Sequence, residues 1–256
     1  MSRRPTQSAR LPCHGAVLLS LLIGPTAAAS SGWPADVAAL QARLPSDIRI
    51  EPVAQRMEFN GTPMHVQIWH APWPANRLAH WLQSGGPAWQ RLDRPQGPLL
   101  QRWQAGQLTA IAIETIQRPH APPHSRAVVA ALDWSAQRSA GMPYSAVRHE
   151  WQQRLPPGSV LRQLIRSWDH GQETVWLLAD NPWSASHNRT HLLEQLQRIG
   201  LRPEPSTVPT AATAKGSAIF LSGANGQTLS LSLQAAPTGP TVVLIQHTQP
   251  TTARTP

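Results

Sequence analysis

Two histidines spaced four residues apart are the pattern in this sequence that comes closest to a metal site. His187 and His191 lie in a segment with helical periodicity, where residues four apart share a face and two imidazoles can bind one ion. The zinc-protease form of this motif needs a glutamate directly after the first histidine, but Asn188 stands there and no third ligand follows nearby. The pattern therefore favours a solvated helix face, with this pair as a weak candidate metal site, and we expect no cofactor.

The sequence contains no recognisable motif for nucleophilic catalysis. The only cysteine, Cys13, precedes the region that we expect to fold. The stretch Leu221–Gly226 (LSGANG) lacks the Gly-x-Ser-x-Gly frame of a serine hydrolase, and neither a phosphate-binding loop nor a dinucleotide fingerprint occurs. The 13 acidic residues are widely dispersed. We therefore favour a non-catalytic protein, with a hydrolase as the least favoured alternative.

Tryptophan is the most unusual feature of the composition, with eleven residues beside only two Phe and one Tyr. Because so few other large rings are available, most of these indoles are predicted to fill the core. The indoles at predicted core positions on strands or helices are Trp69, Trp81, Trp134 and Trp176. Trp89 and Trp103 lie in a more polar stretch, so we expect them to be exposed and name them as candidate ligand-binding residues that stack on a ring.

The first 29 residues have the three-part layout of a secretory signal peptide. Arg3, Arg4 and Arg10 precede a short apolar run, Ala16–Ile23, and Ala27–Ala29 supplies the small residues of a cleavage site. The apolar run is about half of the ~20 residues that cross a bilayer, which favours cleavage over a retained anchor. We expect a protein exported to the periplasm, or secreted, with no membrane-spanning segment after cleavage.

The sequence is strongly basic, but its basic residues do not cluster beyond the leader. The formal net charge is +9, and beyond the leader the arginines occur singly. Proteins that bind nucleic acid concentrate Lys and Arg on one stripe or arm, so we expect no nucleic-acid partner. Weak attraction to anionic surfaces is compatible with this charge.

Similar short sequences recur at nearly constant spacing along the chain. Pro72-Trp73 and Pro182-Trp183 are 110 positions apart. Farther on, Gly106–Ile116 (GQLTAIAIETI) resembles Gly226–Ala236 (GQTLSLSLQAA). Several such matches occur in the same order in the two parts of the chain, so we interpret the chain as an internal duplication.

Each predicted copy has a helix, a hairpin, a second helix and antiparallel strands. Asn60-Gly61 and His170-Gly171 predict the hairpin turns, and Asn225-Gly226 predicts a third. The strict alternation in LTAIAI and TLSLSL predicts strands with one buried face.

The two Pro-Trp pairs mark the corners where the second helices begin. Proline suits a first helical turn, where its missing amide has no partner to lose. In the first copy, Trp73 is predicted to pack on Leu78 as a hydrophobic staple, whereas the second copy offers only Asn188 at the comparable position.

The predicted fold class is α+β, with two similar tandem units that each pack helices on a mainly antiparallel sheet. The predicted segments are a signal peptide at 1–29, unit 1 at 30–134, a linker at 135–144, unit 2 at 145–248 and a disordered tail at 249–256. The leading functional hypothesis is a non-catalytic binding or accessory protein of an envelope, secretion or pilus assembly, which binds an envelope protein by strand addition. The alternative is a small-ligand or glycan binder that uses a crevice between the units, with Trp89 or Trp103 as the stacking platform.

Overall fold

The computed structural model describes residue 33 and residues 35–85, 89–117, 122–133, 143–204, 217–235 and 239–251. The predicted signal peptide, Trp134 and most of the predicted linker lie outside the described residues. The four helices are α1 (Ala35–Arg43), α2 (Ala75–Ser84), α3 (Pro143–Arg154) and α4 (Ala185–Arg198). The strands before α3 are β1 (Arg49–Pro52), β2 (Arg56–Phe59), β3 (Thr62–Ala71), β4 (Gln90–Leu92), β5 (Leu99–Gln104), β6 (Gln107–Ile116) and β7 (His124–Asp133). Those after α3 are β8 (Val160–Asp169), β9 (Gln172–Asn181), β10 (Arg202–Pro203), β11 (Ser217–Ser222), β12 (Thr228–Gln234) and β13 (Thr241–Pro250).

The thirteen strands within the described residues form one antiparallel sheet, so the predicted fold class of two tandem helix-on-sheet units is wrong. The strand order is β10-β11-β12-β13-β9-β8-β2-β3-β7-β6-β5-β4, and β1 pairs with β3. The long-range pairing that merges the predicted units joins Arg56–Phe59 to residues 165–168 of β8. An open edge leaves a row of unpaired N–H and C=O groups, and this one pairing satisfies two such edges at once.

The β2–β8 pairing, called the seam below, divides the sheet into two halves. The first half contains α1, α2 and β1 to β7, and the second half contains α3, α4 and β8 to β13. Outward from the seam, the strand order is β2, β3, β7, β6, β5, β4 on one side and β8, β9, β13, β12, β11, β10 on the other.

All the α-helices that the structure describes lie on the same face of the sheet. Paired residues in an antiparallel ladder point to one face, and the register across the seam carries that face from Met64 through Met57 to Ile165 and Trp176. These four residues belong to a cluster on the helix-free face, which also contains Val66, Ile68, Val128, Ala130 and Leu132. The helices pack on the opposite face, where Trp69, Leu78 and Leu82 lie in the first-half core and Trp151, Leu192 and Leu196 lie in the second.

The predicted alternation and hairpin turns are confirmed. Ile111 and Ile113 of β6 and Leu229, Leu231 and Leu233 of β12 are buried, with less buried residues between them. Asn60 and His170 have φ of 50° and 47°, and the glycines that follow them have φ of 81° and 74°, as tight turns require. The third hairpin turns through a short 3₁₀ segment, Ala224–Gly226.

The two Pro-Trp corners end where the second helices begin. Pro74 is the N-cap of α2, whereas Ser184 is the N-cap of α4 and its Oγ accepts a hydrogen bond from the His187 N–H at 3.2 Å. Pro182 therefore precedes the helix rather than joining its first turn. Trp73 packs against the core cluster that contains Leu78, with its ring 6.4 Å from that of Trp81.

Two further findings concern the C-terminal end of β13 and the length of the helices. Gln249 and Pro250, placed in the predicted tail, belong to β13, where they pair with Glu173 and Gln172. Within the described residues, no helix has the length and apolar character needed to span a membrane.

Candidate functional site

The outer edge of β11 is only partly covered by its neighbour. Strand β10 pairs with Ser222 and Leu221, and the N–H of Glu204 then donates to the Phe220 carbonyl at 2.9 Å. Among the described residues, no strand lies beside residues 217–219 on the side away from β12. Within the described part of the chain, this stretch therefore presents an open sheet edge.

The backbone geometry shows which groups of the open edge point outward. The carbonyl of Phe220 faces β10, and successive residues of an antiparallel strand direct their N–H and C=O groups to opposite sides. The N–H and C=O of Ala218 therefore also point outward, away from β12. An extended segment of another protein that continued the sheet would form its hydrogen bonds there.

Phe220 places a large apolar ring beside this edge. Its side chain is 60% exposed, one of the two most exposed large apolar side chains that the structure describes. The register carries one cross-strand row from Phe220 through Ser230 and Gln246 to Trp176. Since Trp176 packs with the central cluster of the helix-free face, Phe220 lies on that face too.

The other outer strands carry residues that discourage pairing, and β11 does not. Charged residues and proline blunt sheet edges in natural proteins. Here β1 contains Arg49 and Pro52, β4 contains Arg91, and β10 consists of Arg202 and Pro203. In contrast, β11 has the sequence SAIFLS, with neither a charge nor a proline. The sequence predicts this run only as part of a hairpin, and its lack of charged residues and proline is the signal that could have marked it as an edge.

Two arginines near the helix-free face take part in ion pairs. Arg126 of β7 forms an ion pair with Glu114 of β6, and Arg162 lies 2.9 Å from Asp180. Each of these two pairs combines one positive and one negative charge, so neither adds net charge to this face.

The two candidate ligand-binding tryptophans lie in different surroundings. Trp89 is only 9% exposed, and the Arg102 guanidinium lies 4.8 Å from its ring centre. Trp103 is 61% exposed on the helix-free face, where it pairs across the sheet with Leu108. The expected exposure is therefore found for Trp103 and not for Trp89, and a ligand-binding role stays a prediction for both.

The two candidate metal ligands on α4 have separate environments. The ring of His187 stacks on Trp183, with centroids 4.4 Å apart. His191 is partly buried, and its Nε2 has no hydrogen-bond partner among the described residues. Within the described part of the chain, no group of three His, Cys, Asp or Glu is placed to hold a metal ion.

Comparison with known proteins gives little that bears on function. No protein-family model matches the chain, and neither does any curated protein. A solved structure of the apo immunity protein TplEi of T6SS from Pseudomonas aeruginosa matches with 10% identity over 83% of this chain and 85% of that chain, at a TM-score of 0.23. The same protein complexed with "L" peptide matches with 10% identity over 80% and 82%, at a TM-score of 0.21. Scores of this size establish neither a shared fold nor a shared function.

Proposed function

We propose that this chain is a non-catalytic protein-binding module of the bacterial cell envelope, and that it binds an extended segment of a partner protein along the outer edge of β11. The observation that carries the proposal is the edge at residues 217–219, which no strand other than β12 covers among the described residues and which lies beside the exposed ring of Phe220. The signal-peptide pattern of residues 1–29 supports export.

Strand addition suits the chemistry of this edge. Main-chain hydrogen bonds to Ala218 would hold the added strand, and an apolar side chain of the partner would contact Phe220. Aromatic rings surrounded by more polar surface are frequent centres of binding energy at protein interfaces. The uncharged sequence of β11 places no repulsive group in the path of the incoming strand.

Photo-crosslinking in intact cells tests the proposal. Phe220 is replaced by benzoylphenylalanine, which keeps an aromatic ring at this position, and adducts of defined mass are sought after irradiation. A second change, Ala218→Pro, removes the outward N–H while leaving the hydrogen bonds to β12 in place. We expect a discrete adduct whose yield falls about tenfold with Ala218→Pro, because a backbone hydrogen bond is lost and the proline ring obstructs the edge.

The matched control is Ala218→Val, which keeps the N–H and should preserve the adduct. Thermal melts of the purified variants check that the fold is retained. The absence of any discrete adduct would overturn the proposal, and so would an adduct that Ala218→Pro leaves unchanged in a folded protein.

The exposure of Trp103 favours glycan binding as a second candidate function, since an open indole can stack on a sugar ring. Titration with soluble cell-wall oligosaccharides should change the tryptophan fluorescence of the parent protein and not that of Trp103→Ala. Trp183→Ala, which removes another exposed indole, is the control and should keep the response. A response that survives in Trp103→Ala would exclude this site.

A further inference from the structure

A cavity of about 220 Å³ lies on the helix face of the second half, between α3, the C-terminal end of α4 and strands β9 and β13. Its polar wall contains Glu150, Arg154, Glu173, His247 and Gln249. Its apolar wall contains Val147, Val175 and Ile199. A cavity of this size has room for a small organic molecule.

The charged side chains of the polar wall take part in ion pairs. Arg154 lies 2.5 Å from Glu150, and its guanidinium also lies over the ring of Trp151. Glu173 is held by Arg166 at 2.6 Å, and the Gln249 amide donates to it at 3.3 Å. The cavity therefore presents both a cation and carboxylates at short range, without a large net charge.

His247 is a buried polar residue in the wall of the cavity. The residue is 6% exposed, its ring meets that of Trp151 edge-on at 5.7 Å, and its Nε2 has no hydrogen-bond partner among the described residues. Burial lowers the pKa of His247 below its ordinary value, the Arg154 charge lowers it further, and Glu150 and Glu173 act in the opposite direction. The imidazole is therefore neutral at neutral pH, and a buried polar atom of this kind is costly unless a ligand or water satisfies it.

We infer that this cavity binds a small zwitterion, specifically a free α-amino acid with a short aliphatic side chain. The ammonium group would donate to the His247 imidazole and to a neighbouring carboxylate, and the ligand carboxylate would accept from Arg154. The aliphatic side chain would contact Val147, Val175 and Ile199.

This inference goes beyond the proposed function and does not depend on it. The cavity lies under α3 on the helix face, whereas Phe220 and the open edge of β11 border the helix-free face. A protein that fails one test can therefore pass the other, and the Ala218→Pro variant should bind the amino acid as the parent does.

Isothermal titration calorimetry with L-valine tests the inference on the purified protein. Valinamide lacks the carboxylate and isovalerate lacks the ammonium group, so each presents only one half of the zwitterion. We expect saturable valine binding with one site per chain, and binding at least about tenfold weaker for each truncated analogue, since each loses a charge-assisted contact. No heat with valine at millimolar concentration would overturn the inference, as would equal binding of valine and valinamide.

Substitutions in the wall locate the site. His247→Leu should weaken valine binding by about tenfold or more, because it removes the acceptor for the ammonium group. Glu150→Gln changes a partly solvated side chain and serves as the second variant if His247→Leu does not fold. His187→Leu, on α4 outside the cavity lining, is the control and should bind valine normally. Valine binding that is unchanged in both folded wall variants would place it elsewhere and contradict the inference.

Discussion

The two Pro-Trp corners lie at corresponding positions in the two halves of the sheet, each between a strand and the helix that follows it. Different interactions stabilise them. At the first corner, β3 ends at Ala71 and the fourth residue of α2 is Leu78, both buried in the first-half core. At the second corner, β9 ends at Asn181 and the fourth residue of α4 is Asn188, both buried as well. One corner is therefore apolar and the other is a buried polar network.

The polar corner satisfies its buried groups with one another. The side-chain amides of Asn181 and Asn188 exchange hydrogen bonds of 2.7 and 2.9 Å. Asn188 also donates to the carbonyls of Trp183 and Ser184, and the Trp183 N–H donates to Asn181 at 3.0 Å. Ser159 joins the network by accepting from Asn181 at 3.1 Å.

The comparison shows that a short motif can determine where a chain turns without determining what holds the turn. Apolar packing tolerates many neighbours of suitable size, whereas a buried network fails when one member is lost, because its partners stay buried without hydrogen bonds. The second corner should therefore be the more sensitive to the chemical type of a substitution, and the first to its volume.

The largest effect is expected for Leu78→Ala at the apolar corner. Leu78 is fully buried in the first-half core, so the substitution removes transfer free energy and leaves a cavity. We expect the free energy of unfolding to fall by about 3 kcal/mol, measured by denaturant titration. Leu78→Met should cost less than about 1.5 kcal/mol, because it nearly conserves the volume. Equal costs for the two variants would contradict an account based on volume.

A somewhat smaller loss is expected for Asn188→Leu, which introduces the residue type of the first corner into the second. The leucine fits the local helix, but Asn181 and two backbone carbonyls lose their buried donor. We expect the free energy of unfolding to fall by about 2 kcal/mol, measured in the same denaturant titration.

The double variant Asn181→Ala/Asn188→Leu tests whether the two amides act together, because it copies both residue types of the apolar corner. Removing both amides together avoids burying one without its partner, so the double variant should lose less than the sum of the two single losses. Strictly additive losses would show that the two amides do not act as a unit.

Local structure was largely predictable from the sequence, because it depends on neighbouring residues. The alternation in β6 and β12 and the turns at Asn60-Gly61 and His170-Gly171 follow from strand geometry and from glycine's tolerance of positive φ. The pairing of β2 with β8 was not predictable. The backbone N–H and C=O groups of any two open edges can form hydrogen bonds with each other, and no sequence pattern identifies which two edges pair. One sheet was therefore read as two.

The candidate sites show the same division between local pattern and long-range contact. The polar stretch around Trp89 predicted exposure, but burial under Arg102 depends on a guanidinium thirteen residues away along the chain. Likewise, His247 and Glu150 meet at one cavity although they lie on β13 and α3. His247 was not predicted as a site residue, because a single histidine in a strand has no local signature.

For Ser184→Ala we expect the free energy of unfolding to fall by about 1 kcal/mol. The substitution removes the side-chain hydrogen bond that caps α4, and α2 has no such bond. Pro74 caps α2 without a side-chain hydrogen bond, so Pro74→Ala should cost less than Ser184→Ala. Thermal melts of both variants measure the difference. A larger loss for Pro74→Ala would mean that the proline's restricted φ, rather than the cap hydrogen bond, governs these helix starts.

The smallest effect is expected from the protonation of one histidine in each half, since it removes no atoms. Burial lowers the pKa of His65 and of His247 below the unfolded value of 6.5, and Asp133 opposes this shift at His65. The unfolded chain therefore takes up these protons first, so stability is full above pH 6.5 and falls as the pH drops below it. Melting temperatures measured between about pH 7.5 and 5.5 should show this decline.

His247→Leu should flatten the decline more than His65→Leu, because His247 is the more deeply buried of the two. A decline that is unchanged in both variants would assign the pH dependence to other groups.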